Sequence, residues 1–457
     1  MNRDKDLTKG NPFLLIISFS FSLIIGNIFQ QLYIVVDSII IGRNVGDLAL
    51  SAIGGTEWLI FMVNGFLIGL IQGFSVILGN KFGEKNEKDF SLYYRKARVI
   101  CLALALFLVI ILLITSKMLL TIIGTKEEVF SFAKTYVDVI FAGIPFLIFY
   151  QLFAAVLRSR GNSNIPLMAM TVSSLCNIVL DILFVSILNM GIAGAALGTI
   201  LSECLVMIIC GYHVYKIRNS VNEEGEETKE GTEASIQVIR NLLTIGLPMA
   251  FQSVITAIGG LIVISRVNQY EISFLTGYTI AGKIYALLEI AASSYGLAVV
   301  AYVSQNVGAG RYDRVRSGVR ASVIIGTATA LICSLIMVIF GTPLMKLFVD
   351  TDEISEGVFT YGYKYLQVLA LFFPLLYILY IIRSTLQGMG NSIIPMLSST
   401  AQLIMRVSCA MILTCFIGYY GIYFGEICAW ALADILLIGA YIVMIRDKRN
   451  SVEGYEK

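Results

Sequence analysis

The chain has 457 residues, of which 57% are hydrophobic and only 14% charged, with a mean hydropathy of +0.81; soluble globular chains average about 45–50% apolar and about 25% charged. The formal net charge of +2 gives no reason to expect a nucleic-acid partner, and the single histidine, His213, cannot build a His-based metal centre. Soluble and zinc enzymes are thereby excluded, and the composition is that of a multi-pass membrane protein.

Residues 1–10 are short and charged, and the apolar run after them is too long for a signal peptide, so it reads as a retained first helix. A helix needs about 20 apolar residues to cross the hydrocarbon. Twelve runs meet that need: 13–41, 52–79, 94–116, 131–157, 165–188, 192–217, 237–265, 275–306, 318–340, 360–386, 392–417 and 420–446. With the N-terminus inside, 24 of the 33 Lys and Arg side chains fall in connections on the inner side, Arg383 among them, and 7 on the outer side. Both termini are therefore expected in the cytoplasm, in a plasma (inner) membrane. All eight cysteines lie inside apolar runs without zinc spacing and read as small packing residues.

The first span carries Asp37 near its outer end and the second carries Glu57. Asn177 and Asp181 are four apart on the fifth span, hence on one helical face. Thr199 on the sixth lies at a similar depth, and Glu203 follows at mid-depth. Two carboxylates, an amide oxygen and a hydroxyl suit a hard cation; crowded carboxylates equally suit a proton. Asp37 has a simpler alternative, an ion pair with Arg43. Between the halves, residues 219–236 form an acidic linker, with Glu223, Glu224, Glu226, Glu227 and Glu230.

The second half keeps Lys283, Glu289, Arg406, Glu426 and Asp434 inside its spans. Glu289, Arg406 and Asp434 fall near mid-depth, where opposite charges would pair or handle substrate. Residues 157–166 (LRSRGNSNIP) match residues 386–395 (LQGMGNSIIP) at an offset of 229, and residues 73–83 resemble 296–308 in leading to a basic loop. Six spans per half give both halves the same orientation in the membrane. The expected fold is all-α, with twelve transmembrane helices in two pseudosymmetric six-helix bundles (1–218 and 237–457) around a central cleft. Tyr33, Met62, Tyr150, Gln151, Tyr377 and Tyr380 are aromatic, Met or polar groups available to line such a cleft.

The stretch 30–43 (QQLYIVVDSIIIGR) resembles the first-helix signature of the multidrug and toxic compound extrusion (MATE) family. Residues 160–166 (RGNSNIP), 177–181 (NIVLD) and 191–196 (GIAGAA) resemble it too, and the likeness runs over essentially the whole chain. The resemblance implies antiport: a cation, Na⁺ or H⁺, drives export of amphipathic, often cationic small molecules, with no cofactor. It also implies a cation site of Asp37, Asn177, Asp181 and Thr199, metal binding being confined to Na⁺ there. Some branches carry an acid in the seventh helix; here Gln252 is the polar group. No partner beyond lipid and substrate is required, and a monomer is expected. The alternative reading is a lipid-linked saccharide flippase of similar architecture. Against it stand the count of twelve spans and the scarcity of basic groups, Lys283 and Arg406, at mid-span.

Overall fold

The computed structural model describes residues 5–222, 232–348 and 356–453, and among these the chain is helical without a strand. In the first half α1 (Pro12–Asn44), α2 (Asp47–Gly83) and α3 (Glu87–Ile122) are followed by α4 (Glu127–Ala142), α5 (Ile144–Ser159), α6 (Asn164–Asp181) and α7 (Gly191–Asn222). The second half holds α8 (Thr232–Val267), α9 (Ile272–Gly308), α10 (Tyr312–Lys346), α11 (Glu356–Gly388), α12 (Ile393–Ser408), the short α13 (Thr414–Ile417) and α14 (Tyr420–Glu453). Eleven described helical spans are long and apolar enough to cross a bilayer singly, and the bent pair α4–α5 makes twelve when its two pieces are taken as one span.

Where a single helix is expected over 131–157, the structure has two pieces that meet at 46°. Pro145 lies in the first turn of α5, where its missing N–H is tolerated, and it cannot continue the ladder of α4. The linker also differs from expectation. Helix α7 continues to Asn222 and α8 starts at Thr232, while the five linker glutamates lie outside the described residues.

The internal repeat is visible in local structure. Gly161 and Gly390 both take positive φ (76° and 83°) where the chain turns, a conformation that costs glycine least. One residue on, Asn162 Oδ1 accepts from the Ile165 amide at 3.2 Å and Asn391 Oδ1 from the Ile394 amide at 3.1 Å, capping α6 and α12 alike. Both helices then widen into a π turn, Ile182–Ile187 and Cys409–Leu413.

The chain packs as two compact units, neither of them continuous in sequence. The first holds Lys5, Asp6 and Ile25–Ala250; the second holds Leu7–Ile24 and everything described from Phe251 onward. Division at 218/237 is thus crossed twice, because α1 and α8 each lend one half to either unit. Leu7 shows how firmly the early segment is held. Its amide donates to Gln305 Oε1 at 2.9 Å, and its carbonyl accepts from Asn306 Nδ2 at 3.2 Å and Arg314 Nη2 at 3.3 Å.

The core of the first unit includes Phe74, Phe141 and Leu67, and that of the second Trp430, Tyr302, Tyr377 and Phe373, all fully buried. Stacked rings such as Tyr278 and Tyr365, 4.7 Å apart, add about 0.5–1.5 kcal/mol per pair beyond burial. Large apolar side chains point outward, Ile114, Leu371 and Phe416 at 74–79% exposure, as a lipid-facing surface requires.

Candidate functional site

Asp37 occupies the inward face of α1, one turn after half-buried Tyr33 and one turn before fully buried Ile41. On α6, Asn177 and Asp181 sit one turn apart and are fully buried. Asp181 closes the regular part of α6, immediately before the π turn. The Asp37 and Asp181 carboxyls lie within hydrogen-bonding reach of each other. Asp37 Oδ1, both Asp181 oxygens and the Asn177 Oδ1 and Nδ2 have no hydrogen-bonding partner in the protein.

Helix α7 completes the surroundings. Gly198 lets it approach so closely that Asp181 Oδ1 fills the place of a β-carbon on residue 198. Thr199 donates to its own helix, Oγ1 to Ala195 O at 3.2 Å, which leaves its oxygen free to accept. Ser173 Oγ donates to Ser202 O at 2.7 Å and ties α6 to α7. Asn177, Thr199 and Glu203 line one small cavity of about 30 Å³ with Gln30, Tyr33 and Tyr150.

These groups set the chemistry. Two facing carboxylates are acceptors only, so neither satisfies the other, and leaving such groups buried without a partner costs several kcal/mol. A positive charge shared between them, as a proton or a small hard cation, removes both problems. The donor set is oxygen throughout. Among the described residues no group of three His, Cys, Asp or Glu side chains forms a transition-metal ligand set.

The structure brings the four expected residues into one neighbourhood and sorts the others. Arg43 is exposed and forms no ion pair with Asp37. Glu57 and Lys283 are exposed, Lys283 lying 6.0 Å from the centre of the Phe348 ring. The expected pairing of Glu289, Arg406 and Asp434 does not form. Arg406 bonds Glu426 at 2.7 Å across α12 and α14, Glu289 accepts from Tyr380 Oη at 2.8 Å, and Asp434 is left apart. The physical reason is register: Glu426 on α14 faces Arg406, while Asp434 lies two turns further along that helix. Arg383, assigned to an inner connection from sequence, is buried inside α11 and donates to Gln402 Oε1 at 3.2 Å. It sits five residues before the helix ends at Gly388, too deep to be a loop residue.

Sequence reasoning missed Gly198, the serine pair Ser173/Ser174 and Tyr136. Tyr136 is buried on α4 with Asp37, Asp181 and Glu203 as electrostatic neighbours. The signals were present: Gly198 precedes Thr199, the serines fall one turn before Asn177, and Tyr136 shares a helical stripe with Ala133 and Val137.

Comparison with known proteins agrees over most of the chain. The MatE family model matches residues 22–183 and 248–421. The probable multidrug resistance protein YpnP of Bacillus subtilis (strain 168) is 27% identical over 421 residues, 92% of each chain. YoeA of the same organism, another probable multidrug resistance protein, is 24% identical over 440 residues, 94% of each. A solved outward-facing multidrug resistance MATE transporter of the MOP superfamily superposes with a TM-score of 0.88 at 21% identity, covering 98% of this chain and 99% of that one. Its likeness establishes the two-bundle fold, and the family model matches well over half the sequence: the chain belongs to the MatE family of membrane transporters.

Proposed function

We propose that the chain is a cation-coupled antiporter, driven by Na⁺ or H⁺, that exports amphipathic, often cationic drugs or toxic metabolites across the plasma (inner) membrane as a monomer. The observation that carries the coupling is the facing pair Asp37 and Asp181, buried and without donors, beside Asn177. Export of drugs rests on relatives such as YpnP, described as a probable multidrug resistance protein.

The cation neutralises the pair and lets α1 and α6 close on it; its release restores repulsion between two carboxylates. Only a difference in cation affinity between two conformations converts this into transport. Asp37 lies on the half of α1 that packs in the first unit, while Leu7–Ile24 of the same chain segment packs in the second. A change at the pair therefore acts on a helix rooted in both, which suits alternating access.

The test is ethidium efflux from energised vesicles under an imposed Na⁺ gradient or an imposed pH gradient, with Asp37→Asn and Asp181→Asn alongside. The expected result is gradient-driven efflux that both substitutions abolish, the effective gradient naming the ion. Efflux that survives both substitutions would remove the coupling from this pair. Absence of any gradient-driven export of lipophilic cations would overturn the drug-antiport reading.

A further inference from the structure

The second unit holds a buried polar cluster that the transport reading leaves unused. Asp434, at the middle of the membrane-spanning part of α14, is 4% exposed, and neither carboxyl oxygen has a partner. Arg383 on α11 is its charged neighbour, yet the two form no ion pair. Arg383 Nη2 goes to Gln402 Oε1 at 3.2 Å, and its Nε is unpartnered. On α12, Gln402 Nε2 and Ser399 Oγ, one turn apart and buried, are unpartnered as well. Three helices thus contribute three donor-bearing groups and two acceptor oxygens without mates among protein atoms. An unpaired ionisable side chain at this depth is costly to keep, and such groups in spans mark ion or proton pathways. Buried polar groups of both kinds, with two to four partners in reach, are what an internal water needs.

The ligand class follows from charge. A metal cation is disfavoured, because Arg383 already supplies a positive charge beside a single carboxylate. The neighbouring acids are committed elsewhere: Glu426 to Arg406 at 2.7 Å, and Glu289 to Tyr380 at 2.8 Å. Other ionisable groups on elements packed against α14 are Lys364, Tyr361 and Tyr365 of α11, grouped with Tyr419 and Tyr423 around the start of α14, and the thiols Cys409 of the π turn, facing Cys428 of α14 itself, and the exposed Cys415 of α13. Through Arg383 the cluster also senses Tyr380, Arg406 and Glu289. One carboxyl is left free to take up and release a proton, and water is the medium that brings it.

We propose that Asp434, with Arg383, Gln402 and Ser399, forms a hydrated proton-binding site in the second unit, separate from the Asp37–Asp181 pair. The step is simple: the carboxylate accepts a proton from an adjoining water chain and becomes a neutral acid, while Arg383 keeps its charge. Its use in transport rests on the antiport reading, but its existence does not.

Infrared difference spectroscopy on the full chain in lipid tests it without any transport assay. Wild type minus Asp434→Asn, recorded between about pH 5 and pH 9, should show a protonated-carboxyl C=O band that grows as pH falls and shifts on exchange into D₂O. Should Asp434→Asn fail to fold, Asp434→Glu is recorded instead and should displace that band without deleting it. Difference spectra containing only ionised-carboxylate bands throughout the range would overturn the proton site. An acid band that ignores D₂O, while other carboxyl bands respond, would overturn its hydration. Neither outcome depends on whether Asp37→Asn abolishes efflux, so the two proposals fail separately.

Discussion

Asp181 Oδ1 fills the space that a β-carbon at Gly198 would need, so the carboxylate and the backbone of α7 are packed against each other with nothing between. Gly198→Ala must displace the Asp181 carboxyl from its place beside Asp37 or lift α7 from α6. Overpacking of this kind costs about 1–3 kcal/mol. We expect a folded protein whose gradient-driven efflux drops by at least about tenfold, since the proposed coupling requires the carboxyl pair to meet. Vesicle efflux and thermal unfolding of the same preparation check this. An alanine variant with undiminished efflux would show that the contact does not position Asp181.

The same pair should be a liability for stability. Asp37→Asn gives the buried site an N–H donor that reaches Asp181, replacing acceptor-against-acceptor by a hydrogen bond. Thermal unfolding in detergent without Na⁺ at neutral pH should therefore occur no lower in Asp37→Asn than in wild type, while efflux is lost. A markedly less stable variant would mean that the carboxylate makes a structural contact instead.

Arg406 and Glu426 call for the opposite outcome. Their 2.7 Å bond joins α12 to α14 with both side chains 14% exposed. Removing one partner of a buried pair costs about 3–5 kcal/mol, whereas removing both is far milder. Arg406→Leu should be strongly destabilised and Arg406→Leu with Glu426→Leu should recover most of the loss. Unfolding of the two single variants and the double variant completes the cycle.

The repeat offers a paired measurement. Gly161 and Gly390 share a positive φ, but the space beside Gly161 is filled by Lys5 O and that beside Gly390 is open. Gly390→Ala should cost about 1 kcal/mol for the backbone alone. Gly161→Ala should cost clearly more, because the residues ahead of α1 must also move. Equal losses in unfolding measurements would contradict the packing at Lys5.

How much of this was legible beforehand depends on period and depth. Asn177 and Asp181 announce a shared face because they are one turn apart, and Asp37 stands out as a charge in an apolar run. The bend between α4 and α5 was hidden because hydropathy reports length, not direction, although Pro145 was in plain view. Arg383 was misplaced for a related reason: a charge near a helix end looks the same whether the helix stops there or runs five residues further. The partner of Arg406 is a matter of rotation between helices, which no one-dimensional pattern contains. Counting 229 residues back from Arg406 leads to Asn177. The position that carries an amide in the first half carries a guanidinium in the second, so the surroundings of Asp37 and Asp181 are not copied there.

The exchange of helix halves bears on how the protein is assembled. Leu7 and the first turns of α1 are made early, yet the Gln305, Asn306 and Arg314 groups that hold Leu7 are made about three hundred residues later. The first unit, in turn, lacks part of its packing until Ala250 has emerged. The second unit therefore waits on partners made long after its first segment, at about 5–20 residues per second. For tens of seconds the nascent chain must shelter unfinished helix surfaces in lipid or against the insertion machinery. Substitutions in residues 7–24 should therefore register as poor yield even where the finished protein tolerates them.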